Sequence, residues 1–277
     1  MKLHFSKMHG LGNDYIYVNC LEHKLKHPEE VARIVSDRHF GLILICPSDR
    51  ADFEMRMFNA DGSEGKMCGN AIRCVGKYVY DRGFTDRKTL QIDTRSGVKT
   101  LELTLEDGKV STVRVDMGRA SLRARDIPVE TDYDDFVSQP MLVHGEVFLV
   151  TCVSMGNPHA VIFCDDVEDL PLEDIGPLFE NHEKFPDRIN TEFIELVDRQ
   201  TLKMRVWERG SGETFACGTG ACAAVVAAVV NGHCDAGDEV TVRLRGGELK
   251  ITCREDFTVL MEGPAAHVFD GVMEIDL

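Results

Sequence analysis

Two cysteines sit at matching places in a repeated segment. Residues 53–74 read FEMRMFNADGSEGKMCGNAIRC and residues 202–223 read LKMRVWERGSGETFACGTGACA, and the two run without gaps at an offset of 149 residues. Met55 meets Met204, Arg56 meets Arg205, Glu64 meets Glu213, Cys68 meets Cys217 and Gly69 meets Gly218; Gly83 and Gly232 each lie 15 residues beyond their cysteine. Weaker echoes keep the same order: Gly12-Asn13 with Gly156-Asn157, and Asp37-Arg38 with Asp187-Arg188. A single cysteine at a helix start is as readily a packing residue as a functional one. Two at equivalent points of a repeat, each followed by glycine, point to chemistry.

A thiol at the first turn of a helix meets unpaired backbone N–H groups and the positive end of the helix dipole, so its thiolate form is expected to be favoured. The following glycine lets a ligand approach those N–H groups, which form an anion site suited to a carboxylate. Two such thiols facing each other across a cleft would put one sulfur on each face of an amino-acid α-carbon. One thiolate would remove the α-proton and the opposite thiol would return one, inverting the centre. N–H groups on the α-carboxylate would carry the developing charge, and the sulfurs would titrate as a pair sharing one proton.

The elements that must position these thiols are legible. Phe53, Met55 and Met57 alternate with Glu54 and Arg56, and Leu202, Met204 and Val206 with Lys203 and Arg205, the period of a half-buried strand. A glycine-rich turn leads to each cysteine. Helical spacing follows at Ala71, Ile72, Val75, Tyr78 and Val79, with Gly83 as a stop, while Ala221–Val230 is apolar on every face and predicts a wholly buried helix. Further strands are expected at 42–46, 101–105, 147–152, 160–163, 193–197, 240–244 and 259–261. Short strands curled about an apolar helix give an α+β class, since the helices are too few to alternate with strands in a doubly wound sheet. The expected organisation is two pseudo-symmetric domains, 1–117 plus 263–277 and 118–262, joined by the polar stretch 118–146.

Composition narrows the function classes. A net charge of −16 gives no basic field for a polyphosphate, so nucleic acid is excluded as a bulk partner. The longest apolar run, ten residues at Ala221–Val230, is about half a membrane span. The N-terminal residues lack the apolar core of a secretory signal, and a cytoplasmic location is expected. In that compartment the ten cysteines need not form disulfides, and no zinc-type spacing occurs, so no metal is expected. Cys20, Cys46, Cys152, Cys164, Cys234 and Cys253 read as small buried hydrophobes.

Six segments, 8–15 (MHGLGNDY), 58–64 (FNADGSE), 67–74 (MCGNAIRC), 156–159 (GNPH), 208–210 (ERG) and 216–220 (ACGTG), together closely resemble the diaminopimelate epimerases, the likeness running from Met8 to about Pro264. The resemblance implies an isomerase independent of pyridoxal phosphate or any other cofactor, acting on the LL and meso forms of diaminopimelate in lysine and cell-wall synthesis. It implies two barrel-like domains, each wrapped round a helix, with the C-terminal segment returning to the first, and a homodimer. By motif, Cys68 and Cys217 are the acid/base pair; Gly69, Asn70, Gly218 and Thr219 hold the reacting carboxylate; Asn13, Asn59, Asn157, Asn190, Glu208 and Arg209 bind the distal amino-acid end; His159 and Glu208 tune the thiols. One departure lies at Asp37–Ile45, where the family usually carries a longer glycine- and aspartate-containing stretch, and a shortened loop is expected. Three other readings compete: a proline-type racemase, disfavoured by Glu208, Arg209 and the asparagines, which suit a charged distal end; a thiol redox protein using both cysteines; and a non-catalytic amino-acid-binding protein.

Overall fold

The computed structural model describes residues 1–36 and 41–276. The Asp37-Arg38 echo and the core of the expected loop shortening therefore lie outside the described residues. The chain divides into two compact units, Met1–Asp116 with Glu262–Leu277, and Met117–Met261.

The first unit runs β1 (Lys2–Gly10), β2 (Asn13–Asn19), α1 (Pro28–Val35), β3 (Gly41–Cys46), β4 (Phe53–Phe58), β5 (Glu64–Gly65), α2 (Gly69–Asp81), β6 (Thr89–Asp93), β7 (Lys99–Glu106) and β8 (Lys109–Arg119). The second runs β9 (Gln139–Val143), β10 (Glu146–Ser154), β11 (Pro158–Cys164), α3 (Leu172–Glu180), β12 (Asn190–Asp198), β13 (Thr201–Glu208), β14 (Gly212–Glu213), α4 (Gly218–Val230), β15 (Glu239–Leu244), β16 (Gly247–Cys253) and β17 (Thr258–Pro264). The chain then returns to the first unit as β18 (Ala266–Glu274), antiparallel to β1.

The same pairing scheme is used twice. In the first unit β1–β2 is antiparallel, β2–β3 parallel, β3–β4 antiparallel, β4–β6 parallel and β6–β7 antiparallel. In the second the sequence is β10–β11, β11–β12, β12–β13, β13–β15 and β15–β16, with the same senses. Both units carry a two-residue strand before the cysteine, with Phe58 opposite Glu64 and Trp207 opposite Glu213. An ion pair also repeats: Arg56 Nε donates to Glu64 Oε1 at 2.7 Å and Arg205 Nε to Glu213 Oε1 at 2.8 Å. Each unit is thus a mixed sheet carrying the same side-chain bridge behind its cysteine.

Each sheet curls around one helix. α2 touches the neighbouring strands β18, β1 and β2 and also β7; α4 touches the neighbouring strands β10, β11 and β12 and also β16, so each helix meets both ends of its pairing order. Apart from Thr219, α4 is built from alanine, valine, cysteine and glycine, and Ala221–Ala228 are all buried; small side chains let strands close on every face. Each buried valine there contributes about 1.5–3 kcal/mol of transfer free energy. Both helices span 13 residues and stop the same way, Gly83 at φ 76° after α2 and Gly232 at φ 77° after α4, a left-handed turn that glycine makes without steric cost.

The stretch 118–146 is no mere connector. Ala124, Ile127, Val129, Phe136, Met141 and Val143 are buried in the second unit's core beside Phe179, Phe185 and Phe193. Scattered single apolar residues among acids read as linker in sequence; in the fold these six reach the core, while Tyr133 and Leu142 stay exposed.

Candidate active site

Each cysteine is the N-cap residue of its helix. Cys68 precedes α2 with extended backbone (φ −132°, ψ 122°) and Cys217 precedes α4 likewise (φ −116°, ψ 109°). The glycine turn and short strand before each cysteine deliver an extended residue to the helix start, where the first-turn N–H groups have no intrahelical acceptors. Gly69-Asn70 and Gly218-Thr219 occupy those first-turn positions.

Around Cys68 the groups are neutral or cationic. Tyr15, on β2, donates its hydroxyl to Cys68 Sγ at 3.7 Å. Asn70 is buried and its Oδ1 accepts from Arg73 at 3.1 Å. Arg73 is fully buried within α2, and donates also to the carbonyls of Gly69 and Pro264, each at 3.1 Å. One guanidinium thereby ties the helix start to the end of β17, where the chain returns to the first unit. Gly10 makes room for it, since a β-carbon there would lie 2.7 Å from the guanidinium. Asn13 opens β2 after a tight turn in which Leu11 and Gly12 both have positive φ, the paired left-handed geometry of a primed hairpin. Asn59 closes its own turn, donating to Ser63 Oγ at 3.0 Å and accepting from the Gly62 N–H.

Around Cys217 the groups are acidic. Cys217 is 6% exposed; Sγ accepts from the Gly220 N–H at 3.4 Å and lies 3.6 Å from Thr219 Oγ1. Asn157 donates to Thr219 Oγ1 at 3.2 Å, tying the β10–β11 turn to the start of α4. His159 on β11 and Glu192 on β12 are wholly buried, with Nδ1 2.7 Å from Oε1. Glu208, at the end of β13, accepts from Thr214 Oγ1 at 2.5 Å. Asn190 donates to the Pro158 carbonyl at 2.8 Å and accepts from the Arg209 N–H at 2.9 Å, so it sets the start of the Arg209 turn. The Arg209 guanidinium reaches the Asp187 carbonyl at 2.9 Å.

The expectation that the helix terminus lowers both thiols fails for Cys217. Burial pushes its pKa well above the ordinary thiol value, and the Glu208 and Glu192 carboxylates add to that push; the Thr219 and Gly220 hydrogen bonds oppose it and lose. Burial likewise raises Glu208, with Glu192 adding to the effect and Thr214 and His159 opposing it. The thiol form of Cys217 is thereby favoured over its thiolate.

The structure thus places Gly218, Thr219 and Glu208 at Cys217, Asn157 on Thr219, and His159 beside Glu208 and Glu192; Asn190 and Arg209 bond each other and the Pro158 and Asp187 carbonyls, and Gly69 and Asn70 follow Cys68. Three neighbours went unnoticed in sequence. Tyr15 stands 144 residues before His159, the offset that relates Gly12-Asn13 to Gly156-Asn157, and in register Tyr15 faces Gly41 as His159 faces Asn190. That offset is the signal that could have found it. Arg73 lies inside a matched motif, but its burial has no sequence signature. Glu192 sits on a strand buried on both faces, where Thr191, Glu192, Phe193 and Ile194 are all inaccessible, so alternation gives no cue.

The family model described as diaminopimelate epimerase matches residues 5–123 and 151–268. A curated diaminopimelate epimerase of Acetivibrio thermocellus is 58% identical, with 99% of each chain covered; one of Methanococcus maripaludis is 54% identical over 98% of this chain and 99% of its own. Among solved structures, a probable proline racemase from Agrobacterium radiobacter superposes with TM-score 0.74 at 14% identity, covering 99% of this chain and 93% of that one. A Bacillus anthracis phenazine biosynthesis protein of the PhzF family gives TM-score 0.71 at 17% identity, covering 99% and 100%. At such identity these two share the fold alone.

Proposed function

This chain belongs to the diaminopimelate epimerase family, and we propose that it inverts one α-carbon of diaminopimelate, interconverting the LL and meso forms, with Cys68 and Cys217 as its two bases. The observation that carries the reading is the twin placement of a cysteine as N-cap of a buried helix in two copies of one unit, in a chain 58% identical to a protein of that name.

The cycle balances without a cofactor. In one direction the Cys68 thiolate takes the α-proton and becomes a thiol, and the Cys217 thiol gives its proton to the opposite face and becomes a thiolate. The reverse direction exchanges the roles. The first-turn N–H groups of α2 and α4, through Gly69, Asn70, Gly218 and Thr219, hold the α-carboxylate and stabilise the carbanion as charge spreads onto it. Asn13, Asn59, Asn157, Asn190, Glu208 and Arg209 take the distal ammonium and carboxylate, which a charge pair and amides suit. His159 and Glu208 set the ionisation of Cys217. The same reading extends to a cytoplasmic homodimer; among the described residues no helix is long and apolar enough to cross a membrane.

The test is α-proton exchange in heavy water with diaminopimelate, proline and glutamate as separate substrates. Exchange confined to diaminopimelate is expected. Exchange with proline alone would replace this reading by a proline-type racemase, and tight binding of diaminopimelate without exchange would leave a binding protein.

A further inference from the structure

The His159–Glu192 pair has a geometry that the acid/base scheme above does not use. Both side chains are wholly inaccessible, Nδ1 and Oε1 are 2.7 Å apart, and the remaining atoms of the pair, His159 Nε2 and Glu192 Oε2, are buried without a hydrogen-bond partner among the described residues. Buried polar atoms are nearly always satisfied, and a buried carboxylate with one oxygen unpartnered is costly unless it serves something. The pair abuts the reacting sulfur. A β-carbon at Gly220 would lie 2.6 Å from Glu192 Oε1 and 3.2 Å from Cys217 Sγ, so carboxylate and thiol flank one glycine that has no side chain to separate them.

We propose that Glu192 is a positioning residue of the reaction, accepting Nδ1–H of His159 so that the ring is held in one tautomer, and presenting the fixed negative charge against which Cys217 exchanges its proton. The proposal rests on Cys217 being one of the two bases. A ring that donates through Nδ1 carries its lone pair on Nε2, the unpartnered atom, which then serves as the acceptor end of the dyad. A carboxylate behind a working histidine is a recurrent device for fixing its tautomer and orientation. The first unit carries no charge at the corresponding position. At the offset relating β12 to β3, Ile43 stands where Glu192 does, and at the offset relating β11 to β2, Tyr15 stands where His159 does. The duplicated fold is therefore differentiated chemically at these two positions. The groups facing Cys217 are Glu208 from β13, Glu192 from β12, and the Thr219 hydroxyl and Gly220 N–H of α4, while His159 from β11 bonds Glu192 and acts on Glu208; Cys152 of β10 also feels Glu192, which adds to the effect of burial in raising it.

Three readouts test this on the intact protein. Nitrogen-15 shifts of His159 should show Nδ1 protonated and Nε2 bare; the opposite tautomer would overturn the proposal. Iodoacetamide labelling of Cys217, followed by peptide mapping as a function of pH, should move to lower pH in Glu192→Gln, because a negative charge facing the sulfur is gone. An unmoved profile would overturn it. For turnover of diaminopimelate, Glu192→Gln should lower kcat on the order of 10²-fold with KM nearly unchanged. Adding Glu192→Gln to His159→Gln should slow turnover by less than Glu192→Gln does in the wild type, because the part of its effect carried by the ring is already gone; fully multiplicative losses would contradict that. Glu192→Asp, which keeps the charge but withdraws it by one methylene, should lose turnover while keeping the wild-type labelling profile, a split that a merely structural defect does not produce. The first two readouts need no substrate, so a wild-type protein that fails to exchange diaminopimelate defeats the proposed function and still leaves Glu192 judged.

Discussion

Replacing Gly220 by alanine sets a gain in helix propensity against a collision inside the acidic pocket. Gly220 is in the first turn of α4, and alanine should stabilise a helix there by about 1 kcal/mol. The added methyl, however, would sit 2.6 Å from Glu192 Oε1, about 0.8 Å short of the 3.4 Å where ordinary contact begins, and 3.2 Å from Cys217 Sγ. Glu192 has no free space to retreat into, because it is wholly buried and bonded to His159. Overpacking of a closed core costs about 1–3 kcal/mol, so the net loss is about 1 kcal/mol, a fall in melting temperature of roughly 2–4 °C for a chain of this size. Turnover should suffer more, since a displacement near 1 Å of a reacting group costs on the order of 10²-fold. Gly76→Ala is the control: its methyl would meet Leu101 and Leu103 at 2.9 and 3.1 Å, a comparable clash with no reacting group. Thermal melts and steady-state kinetics on both variants decide the matter. A Gly220→Ala protein as active as Gly76→Ala would refute the placement of Glu192 against the thiol.

Three further outcomes follow from the geometry. Arg205→Met should cost about 3 kcal/mol in urea unfolding and Arg56→Met about 1, because Arg205 bonds the Val167, Glu168 and Leu170 carbonyls as well as Glu213, while Arg56 is half-exposed; equal losses would contradict this. Arg73→Lys should destabilise the first unit by about 3 kcal/mol and depress turnover, since an ammonium cannot span Gly69, Asn70 and Pro264 together; calorimetry and kinetics test it. Asp270 is held well below the usual carboxylate range by Arg82, Ser6 and His267, so its contribution is present above about pH 4 and is lost as pH falls further. Because its side chain is half-exposed, Asp270→Asn should cost under about 1 kcal/mol at pH 7 and flatten the acid limb of the stability profile.

Much of this was legible in the sequence because the fold is written twice. The 149-residue offset located both cysteines, both helices and the strands leading to them, and small apolar residues marked α4 as central. What escaped notice depends on three-dimensional burial. Glu192 lies on a strand covered on both faces, so no period separates it from its neighbours. Residues 118–146 contribute isolated apolar side chains whose core is supplied by segments far along the chain. The lowered thiol expected at Cys217 followed from a helix terminus alone; burial and two carboxylates outweigh that local field, and neither is visible at residue 217. The excess of acid in the composition poses the problem of holding an anionic substrate, and Arg73 behind Asn70 supplies a fully buried local positive charge.

The most direct measurement of the two-base claim is the position of solvent hydrogen early in a reaction run in heavy water. LL-diaminopimelate is converted for a few per cent of completion and both isomers are examined by mass spectrometry. Two thiols acting from opposite faces should give meso product carrying deuterium at the inverted carbon, while recovered LL substrate remains protiated, and Cys68→Ser and Cys217→Ser should each abolish the conversion. Product that keeps the substrate's own hydrogen, or a serine variant that converts at the wild-type rate, would contradict the account.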